Sequence, residues 1–304
     1  HQQGRLVDLW RVLFFNDFST PYLEEDLHRE ARQQAEATTS TKRLYPDLLI
    51  RSMYTPFPPE AVKLDMVRLL KKDVPISLQV ILAFWLVNVP YFDGDEKRQR
   101  IMRRNATAFL ESALQDPQTL HLNVYHAIVN HFVPQFWRAA YLGGNLLGEI
   151  SLLGDFLHQQ MLRFHPALLA PIAPKRREGD RKLRIGYVSS NFCHQAVSYY
   201  MANRIFCADR QRFEVQVFSL EKRHDTMTDR IKGFSDRFVV FRDYRDLAGM
   251  GEALKKSELD ILIYADIGMD QVTYQLAAMR LAPVQCVLVG HGVTTGLPTM
   301  DYYL

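Results

Sequence analysis

The sequence predicts two kinds of structure in one chain: an all-α region, followed by an α/β lobe with a parallel sheet. Apolar residues recur at helical spacing from Arg5 to about Arg163, and this predicts the helical part. A proline-rich, charged stretch then interrupts the pattern. From Lys182 onward, short apolar strands alternate with helices over short connections, which is typical of a right-handed, wound parallel sheet.

Composition places the chain among ordinary globular proteins. Of its 304 residues, 47% are hydrophobic and 23% are charged, so a large core can form. The net charge of +3 is too small to indicate a nucleic-acid partner. The three cysteines, Cys193, Cys207 and Cys286, lie in or beside apolar runs without a Cys-x-x-Cys spacing. We therefore expect reduced, buried thiols in a cytoplasmic protein rather than a metal site.

The most apolar segment, Val74–Pro90, is predicted to be a buried core helix. Prolines bracket it, polar residues interrupt it, and it falls short of the ~20 apolar residues that a membrane span requires. We therefore expect no membrane span. The first residues, His1–Arg5, lack the layout of a signal peptide, and we expect the chain to have been cut from a longer one.

The helical domain is predicted to occupy residues 1–165. Pro58 and Pro59 mark one helix start, where proline is tolerated. Prolines recur at no constant period and no tetratricopeptide consensus repeats, which favours a helical bundle or a degenerate solenoid. The predicted helices are Glu24–Ala37, Pro59–Lys72, Asp95–Leu114, Leu120–Phe132 and Leu146–Phe164.

Residues 166–181 are predicted to be a linker, because charge and proline content rise while apolar periodicity disappears. The α/β lobe then spans 182–304. Its predicted strands are Leu183–Ser189, Phe213–Ser219, Arg237–Phe241, Asp260–Tyr264 and Val284–Val289, with one more beginning at Asp301. Its predicted helices are Val197–Phe206, Thr226–Phe234, Leu247–Lys256 and Val272–Met279. Since the chain stops inside a strand, we expect a partner lobe beyond it.

The loops after the strands are the expected ligand site, because open parallel sheets bind ligands beyond the carboxyl ends of their strands. The turn after the first strand, Ser189–Ser198, lacks the Gly-x-Gly-x-x-Gly pattern of dinucleotide-binding proteins. It offers hydroxyls, an amide and the imidazole of His194 instead. A histidine at this place can act as a general base near neutral pH, or it can cap the following helix.

Two further loops carry polar residues. Asp266 and Asp270 are too sparse for a calcium loop and have no His or Cys neighbour, so we expect no metal there. Asp270 is expected to cap the helix that begins near Val272. The loop Gly290–Gly296 offers backbone amides, His291 and two threonine hydroxyls to a phosphate or a sugar hydroxyl. The alternative is a plain turn that needs glycine dihedrals.

Five stretches of the lobe carry a resemblance to a known family. The segment Leu183–Asn203 looks like the opening of the catalytic region of protein O-GlcNAc transferases. The runs Ala282–Gln285, Gly290–Gly296 and Met300–Tyr302 are similar to the Ala-Pro-Ile-Gln, Gly-Tyr/His-Pro with Thr-Ser/Thr, and Asp-Tyr signature of those enzymes. The turn Ile267–Asp270 resembles the bacterial adhesin N-glucosyltransferases. Together they resemble glycosyltransferase family 41, which also includes the SPINDLY-like proteins.

The resemblance implies the first, acceptor-side lobe of a two-lobed GT-B glycosyltransferase, with a Rossmann-like fold. The second lobe, which binds the UDP part of the donor and carries an essential lysine, has no counterpart in these residues. The implied reaction is inverting, metal-independent transfer of GlcNAc or glucose from a UDP-sugar to a protein side chain, without a cofactor. The alternative is a non-catalytic module whose helices and Rossmann-like half bind a protein partner.

By the same resemblance, His194 is the implied catalytic residue. The O-GlcNAc transferases place this histidine one position later, where the chain has Gln195. Gly292 replaces the family's proline, while the preceding histidine is retained. The implied substrate-binding residues are Gln195, Ser198, Asp266, Met269, Asp270, Gln285, Gly290, His291, Thr294 and Thr295.

Overall fold

The computed structural model describes residues 144–175, 179, 181–221, 223–288 and 293–304, together with scattered positions between 103 and 140. Most of the predicted helical domain therefore lies outside the described residues, including the helices predicted at Glu24–Ala37 and Pro59–Lys72 and the apolar segment Val74–Pro90. The domain boundaries at 165 and 182 stay predictions.

The described residues form parallel strands connected by helices. The strands are β1 (Leu183–Ser189), β2 (Phe213–Ser219), β3 (Arg237–Val240), β4 (Ile261–Tyr264), β5 (Val284–Val287) and β6 (Tyr302–Tyr303). The helices are α1 (Leu147–Phe164), α2 (Ala196–Phe206), α3 (Thr226–Gly233), α4 (Leu247–Lys256) and α5 (Gln271–Ala277), and a 3-10 turn covers Pro166–Leu168. Within the described ranges, no helix has both the length and the apolar character that crossing a membrane requires.

The six strands form one sheet in the order β3-β2-β1-β4-β5-β6, and every neighbouring pair is parallel. This confirms the predicted α/β lobe, and the order is the Rossmann-like one. From β1 the chain winds outward to β3, then crosses back to place β4 on the other side of β1. The topological switch point therefore lies between β1 and β4, because the chain continues from β1 to β2 on one side of the sheet and from β4 to β5 on the other.

The strands are apolar runs because helices cover both faces of a wound parallel sheet. The side chains of Val188, Val217 and Leu262 are fully buried in the three central strands. β1 and β2 pair over their whole lengths, from Leu183 beside Phe213 to the ends of both strands. The loops that follow β1 and β2 therefore begin side by side at the same edge of the sheet.

Aspartates fix where three of the helices begin. Asp225 and Thr228 form a reciprocal capping box at the start of α3. The side chain of Asp246 accepts the N–H of Gly249 at 2.8 Å in the first turn of α4. Asp270 does the same for α5, described below. Each side-chain oxygen satisfies backbone N–H groups that the first turn of a helix leaves without an internal partner.

Helix α1 confirms the helix predicted at Leu146–Phe164, and it packs on the α/β lobe. The His158 Nδ1 atom lies 3.1 Å from the carbonyl oxygen of Ala278, just after α5. The N–H of Arg280 donates to the carbonyl of Leu168 in the 3-10 turn at 3.0 Å. The buried residues of α1 are Ile150, Leu153, Gly154, Phe156, Leu157, Gln160 and Met161. One face of this helix is thus part of the lobe's interior.

Candidate active site at the carboxyl edge of the sheet

The turns after β1 and β4 meet at the switch point of the sheet. Val188 near the end of β1 pairs with Tyr264 at the end of β4. Ser189 pairs on its other side with Ser219, the last residue of β2. Asp266 follows β4 by two residues, beside the turn that leaves β1. This is the place where open α/β sheets bind ligands.

One oxygen of Asp266 gathers the turn after β1. The Oδ2 atom accepts hydrogen bonds from Ser189 Oγ at 2.9 Å and from Asn191 Nδ2 at 3.0 Å. It also accepts the N–H of Ser190 at 2.7 Å and the hydroxyl of the same residue at 2.9 Å. Four donors on one acceptor fasten the beginning of this turn to the loop after β4.

The second oxygen of Asp266, Oδ1, is buried and has no hydrogen-bond partner among the described residues. Burial raises the pKa of Asp266, and the nearby carboxyl group of Asp270 raises it further. Hydrogen bonds from Ser190 and Ser189 act in the opposite direction. A buried carboxyl group beside a like charge favours its protonated form, and such shifts are frequent at functional sites.

Asp270 is the helix cap that the sequence predicts. Its Oδ1 atom accepts the N–H groups of Val272 and Thr273, both at 2.9 Å, at the beginning of α5. The side chain is buried, at 1% exposure. The carboxyl group therefore has a structural partner, and its position beside Asp266 also gives it an electrostatic role at the same turn.

His194 lies exposed between the turn after β1 and the beginning of α3. Its Nδ1 atom is 2.7 Å from the hydroxyl of Tyr199, and its Nε2 atom is 2.9 Å from Thr226 Oγ1. Its backbone N–H donates to Asp225 Oδ2 at 2.8 Å, and this bond is the main reason that the pKa of Asp225 is lowered. The imidazole is thus accessible to an acceptor and also attached to the first turn of α3. Of the two alternatives drawn from the sequence, capping of the following helix is wrong, because Gln195 is the N-cap residue of α2 and the His194 ring contacts the hydroxyls of Tyr199 and Thr226 instead. The role of a general base stays a prediction.

Two other predicted residues of this turn have different environments. Gln195 occupies the N-cap position of α2, is exposed, and its side chain makes no capping hydrogen bond. Ser198 is buried, and its hydroxyl donates to the carbonyl oxygen of Asn191. Gln195 is therefore open to a ligand, whereas the Ser198 hydroxyl closes the turn on itself.

Gln285 and Met269 contribute to the interior of the lobe. Gln285 is fully buried, and its Oε1 atom accepts the N–H of Leu281 at 2.8 Å. Its Nε2 atom donates to the carbonyls of Met279 at 2.9 Å and Thr299 at 3.1 Å. Met269 is half-buried and packs against the apolar core. The amide of Gln285 thereby anchors the segment that leads into β6.

The predicted threonines lie in a tight turn after β5. Thr294 is exposed, and its hydroxyl accepts the N–H of Gly296 at 3.2 Å. The Thr295 hydroxyl accepts the N–H of Leu297 at 3.3 Å, and its carbonyl accepts the hydroxyl of Tyr274 on α5. Gly290 and His291, also predicted for this loop, lie outside the described residues.

A groove beside these threonines joins the loops after β4 and β5 to α1. It is lined by Val133, Phe136, Ile150, Ile267, Gly268, Tyr274, Val287, Val293, Thr294 and Thr295. Its walls are mainly apolar, and Tyr274, Thr294 and Thr295 are its hydroxyl-bearing residues. The structure thus brings Thr294 and Thr295 to the loop that contains Asp266 and Asp270, while His194 lies on the side of the turn that faces α3.

No group of three His, Cys, Asp or Glu side chains suited to holding a metal ion occurs in the described part of the chain. Sequence reasoning missed Tyr199, Thr226 and Tyr274. The pattern Asp-x-x-Thr at 225–228 indicates a capping box and could have located the start of α3 in the chain, but not its position beside the first turn. Tyr274 carries no such local signal, since its partner is a carbonyl of a distant loop.

Comparison with known proteins adds an independent finding. Residues 157–304 match the model of glycosyl transferase family 41. A probable UDP-N-acetylglucosamine–peptide N-acetylglucosaminyltransferase SPINDLY of Petunia hybrida is 30% identical over 132 residues, which cover 41% of this chain and 14% of the relative. The UDP-N-acetylglucosamine–peptide N-acetylglucosaminyltransferase of Caenorhabditis elegans is 31% identical over 155 residues, which cover 51% of this chain and 13% of the relative.

The matched segment is therefore a small part of these relatives, 14% and 13% of their lengths. A solved structure of a mutant O-GlcNAc transferase of Thermobaculum terrenum is also similar, at 22% identity and a TM-score of 0.43, over 83% of this chain and 54% of that chain. A TM-score of 0.43 is too low to assign a fold, so the fold is assigned from the strand order of the sheet.

Proposed function

Because residues 157–304 of the chain belong to glycosyltransferase family 41, we propose that the protein transfers a sugar from a UDP-sugar to a side chain of an acceptor protein. The single observation that carries this proposal is the position of the candidate site. The polar residues at the switch point of the sheet all fall inside the segment that matches the family. The relatives from Petunia hybrida and Caenorhabditis elegans bear names that specify UDP-N-acetylglucosamine and peptide.

In the proposed reaction, an oxygen or nitrogen of the acceptor side chain attacks the anomeric carbon of the sugar from the face opposite UDP. The bond between that carbon and the diphosphate oxygen breaks, and its electron pair leaves with UDP. The proton of the acceptor passes to Nε2 of His194. This nitrogen lies 2.9 Å from Thr226 Oγ1, so in the proposed reaction that contact gives way to a hydrogen bond with the acceptor.

The remaining candidate residues are proposed to line the sugar and phosphate end of the crevice. Thr294 and Thr295 offer hydroxyls there, with Gly290 and His291 preceding them in the same loop. We propose GlcNAc or glucose as the sugar and a reaction that inverts the anomeric centre without metal or cofactor. The UDP part would be held by a second lobe of the GT-B arrangement. The cytoplasm stays the predicted compartment, and an acceptor protein rather than nucleic acid the predicted partner.

The proposal is tested by assaying UDP-sugar transfer in the full-length protein with His194→Ala and His291→Ala. Loss of a general base typically costs 10²–10⁴-fold, so we expect His194→Ala to lower kcat by roughly 100-fold or more. His224→Ala is the matched control, since His224 is exposed nearby and paired with Glu221 and Asp229 instead. Wild-type rates in both test variants would contradict the site assignment.

A non-catalytic protein-binding module is the second candidate, and one observation favours it. Gln195 stands where the O-GlcNAc transferases have their histidine, and the neighbouring His194 is attached to the beginning of α3. Calorimetry of the full-length protein separates the two functions. Binding of UDP-sugar supports the enzyme, whereas protein binding without any UDP-sugar binding supports the module.

A further inference from the structure

Two glycines bring the backbone of α1 against the loop that carries Thr294 and Thr295. A Cβ atom added to Gly154 would lie 2.0 Å from the carbonyl oxygen of Gly296 and 2.9 Å from the nitrogen of Leu297. A Cβ atom added to Gly296 would lie 2.1 Å from the carbonyl oxygen of Ile150. Real Cβ contacts do not fall below 3.0 Å, so neither position can carry a side chain without movement of the backbone opposite.

Gly296 also needs to be glycine for its own conformation. Its φ angle is +65°, in the left-handed region that side chains disfavour. Its N–H donates to the Thr294 hydroxyl, and the next N–H, from Leu297, donates to the Thr295 hydroxyl. The turn that positions both threonine hydroxyls is thus the same turn whose backbone contacts α1.

A second element holds the loop from the opposite side. The hydroxyl of Tyr274 on α5 donates to the carbonyl of Thr295. Further along the loop, the Thr299 hydroxyl donates to the carbonyl of Ala277 at the end of α5. The helices α1 and α5 also contact each other, through His158 Nδ1 and the carbonyl of Ala278. The loop therefore contacts two helices that also contact each other.

We propose that Gly154 is a positioning residue for Thr294 and Thr295, so that helix α1 sets the sugar and phosphate end of the candidate site. This inference rests on the proposed function. A methyl group at position 154 would push the loop away by about 1 Å, the difference between 2.0 Å and the closest tolerated approach of 3.0 Å. A displacement of about 1 Å would take the two hydroxyls beyond hydrogen-bond range of a bound donor and would weaken its binding.

The chain provides a matched control on the same helix. Gly148 is exposed, and a Cβ atom added there meets no atom within 4 Å. Gly154→Ala and Gly148→Ala therefore make the same chemical change on one helix, and differ in whether the new methyl group meets the loop. Tyr274→Phe is a third variant, which removes only the hydroxyl that holds the Thr295 carbonyl.

The first test measures transfer in the full-length protein with UDP-GlcNAc and an acceptor protein. We expect Gly154→Ala to raise the KM for the UDP-sugar by about 10-fold or more with little change in the KM for the acceptor, because the displaced threonines serve the donor. Gly148→Ala should match the wild type. A merely structural defect would instead lower kcat through a smaller active fraction and leave both KM values unchanged, which would overturn the proposal.

The second test does not depend on catalysis. Hydrogen exchange of the Gly296 and Leu297 amides should accelerate in Gly154→Ala and stay at the wild-type rate in Gly148→Ala. If Gly154→Ala does not fold, the same acceleration is expected in Tyr274→Phe. Unchanged exchange in every folded variant would overturn the proposal. A wild-type protein that transfers no sugar would refute the proposed function, while the exchange comparison would still decide whether α1 positions the loop.

Discussion

At the scale of single residues, Asp266 illustrates how one buried carboxyl group can organise a site. Its Oδ2 atom accepts four donors from the turn after β1, while its Oδ1 atom has no partner among the described residues. A proton on Oδ1 leaves Oδ2 free to accept the same four bonds. The arrangement therefore suits the protonated acid as well as the carboxylate, which is consistent with the raised pKa of Asp266.

This leads to a pH-dependent prediction for Asp266→Asn. Because the pKa of Asp266 is raised in the folded state, its contribution to stability is fully present below the unfolded value of about 3.9 and is lost as pH rises through the folded pKa. The free energy of unfolding of the wild type should therefore fall relative to that of Asp266→Asn as pH rises through the folded pKa. At higher pH the difference between the two proteins should become constant. Urea unfolding of both proteins from pH 4 to pH 8 measures the difference.

Asp260 supplies a control of opposite sign. Burial opposes its charge, but the bidentate guanidinium of Arg181 and the N–H of Arg184 lower the pKa of Asp260 below its ordinary value. Its contribution is present above the unfolded pKa and is lost as pH falls through the folded one. The wild type should thus lose stability relative to Asp260→Asn as pH falls below about 4, so the urea series for this pair extends down to about pH 2. Parallel pH profiles for the two variants would contradict both assignments.

The three cysteines give a prediction about which thiols react in the native protein. Cys193 and Cys286 are buried, but Cys207 at the end of α2 is exposed, so the expectation of buried thiols was wrong for Cys207. Burial raises the pKa of the Cys193 thiol, and raises that of Cys286 to about 11. We expect one of the three thiols to react rapidly with Ellman's reagent in the native protein and all three in denaturant. Rapid reaction of two or three native thiols would contradict the packing of the lobe.

At the scale of elements, two substitutions of Asp270, the N-cap residue of α5, distinguish its structural role from a chemical role. Asp270→Ala removes an acceptor from two helix N–H groups and should cost about 1 kcal/mol of unfolding free energy or more, since the site is buried. Asp270→Asn keeps a capping oxygen and should cost less. Urea unfolding gives the two values.

The same two variants, Asp270→Ala and Asp270→Asn, also give a prediction for transfer activity. If Asp270 also contacts substrate through its charge, Asp270→Asn should retain most of the stability and lose transfer activity in the full-length protein. Transfer at the wild-type rate in Asp270→Asn would restrict Asp270 to its role as a helix cap. Equal stability losses in both variants would contradict the capping geometry.

The elements themselves were predictable because their signals are local. Strands β1 and β2 have the bounds that the apolar runs predict, and α1 and α4 agree to within one residue. The cap at Asp270 was likewise readable, since its partners lie two and three residues away. Cys207 was misjudged because it lies beside the apolar residues Ile205 and Phe206, whereas at the C-terminal end of α2 it is exposed.

The contacts of the site were not predictable, because they join positions far apart in the chain. His194 meets Thr226 across the start of another helix, and Gly154 meets Gly296 from a different part of the fold. A single sequence contains no signal for such pairs. Gln285 differs from these pairs. The resemblance implied that it binds substrate, but its buried side-chain amide makes three hydrogen bonds within the lobe.

At the scale of the whole molecule, the candidate site lies at the carboxyl edge of a parallel sheet and beside helix α1, which precedes the sheet in the chain. The matched segment runs from residue 157, inside α1, to residue 304, so the family match includes part of this helix as well as the sheet. The Gly154 contact gives a physical reason for treating the helix and the sheet as one unit. The chain aligns with 14% and 13% of the two relatives' lengths, which is why catalysis is to be tested in the full-length protein.

The most direct measurement is the mass of an acceptor protein after incubation with the full-length protein and a UDP-sugar, in the presence of EDTA. Intact-mass spectrometry should detect added sugar with the wild type from UDP-GlcNAc or UDP-glucose, and much less with His194→Ala. An acceptor that stays unmodified with both donors, although the protein is folded and binds UDP-sugar, would contradict the proposal that this site transfers sugar.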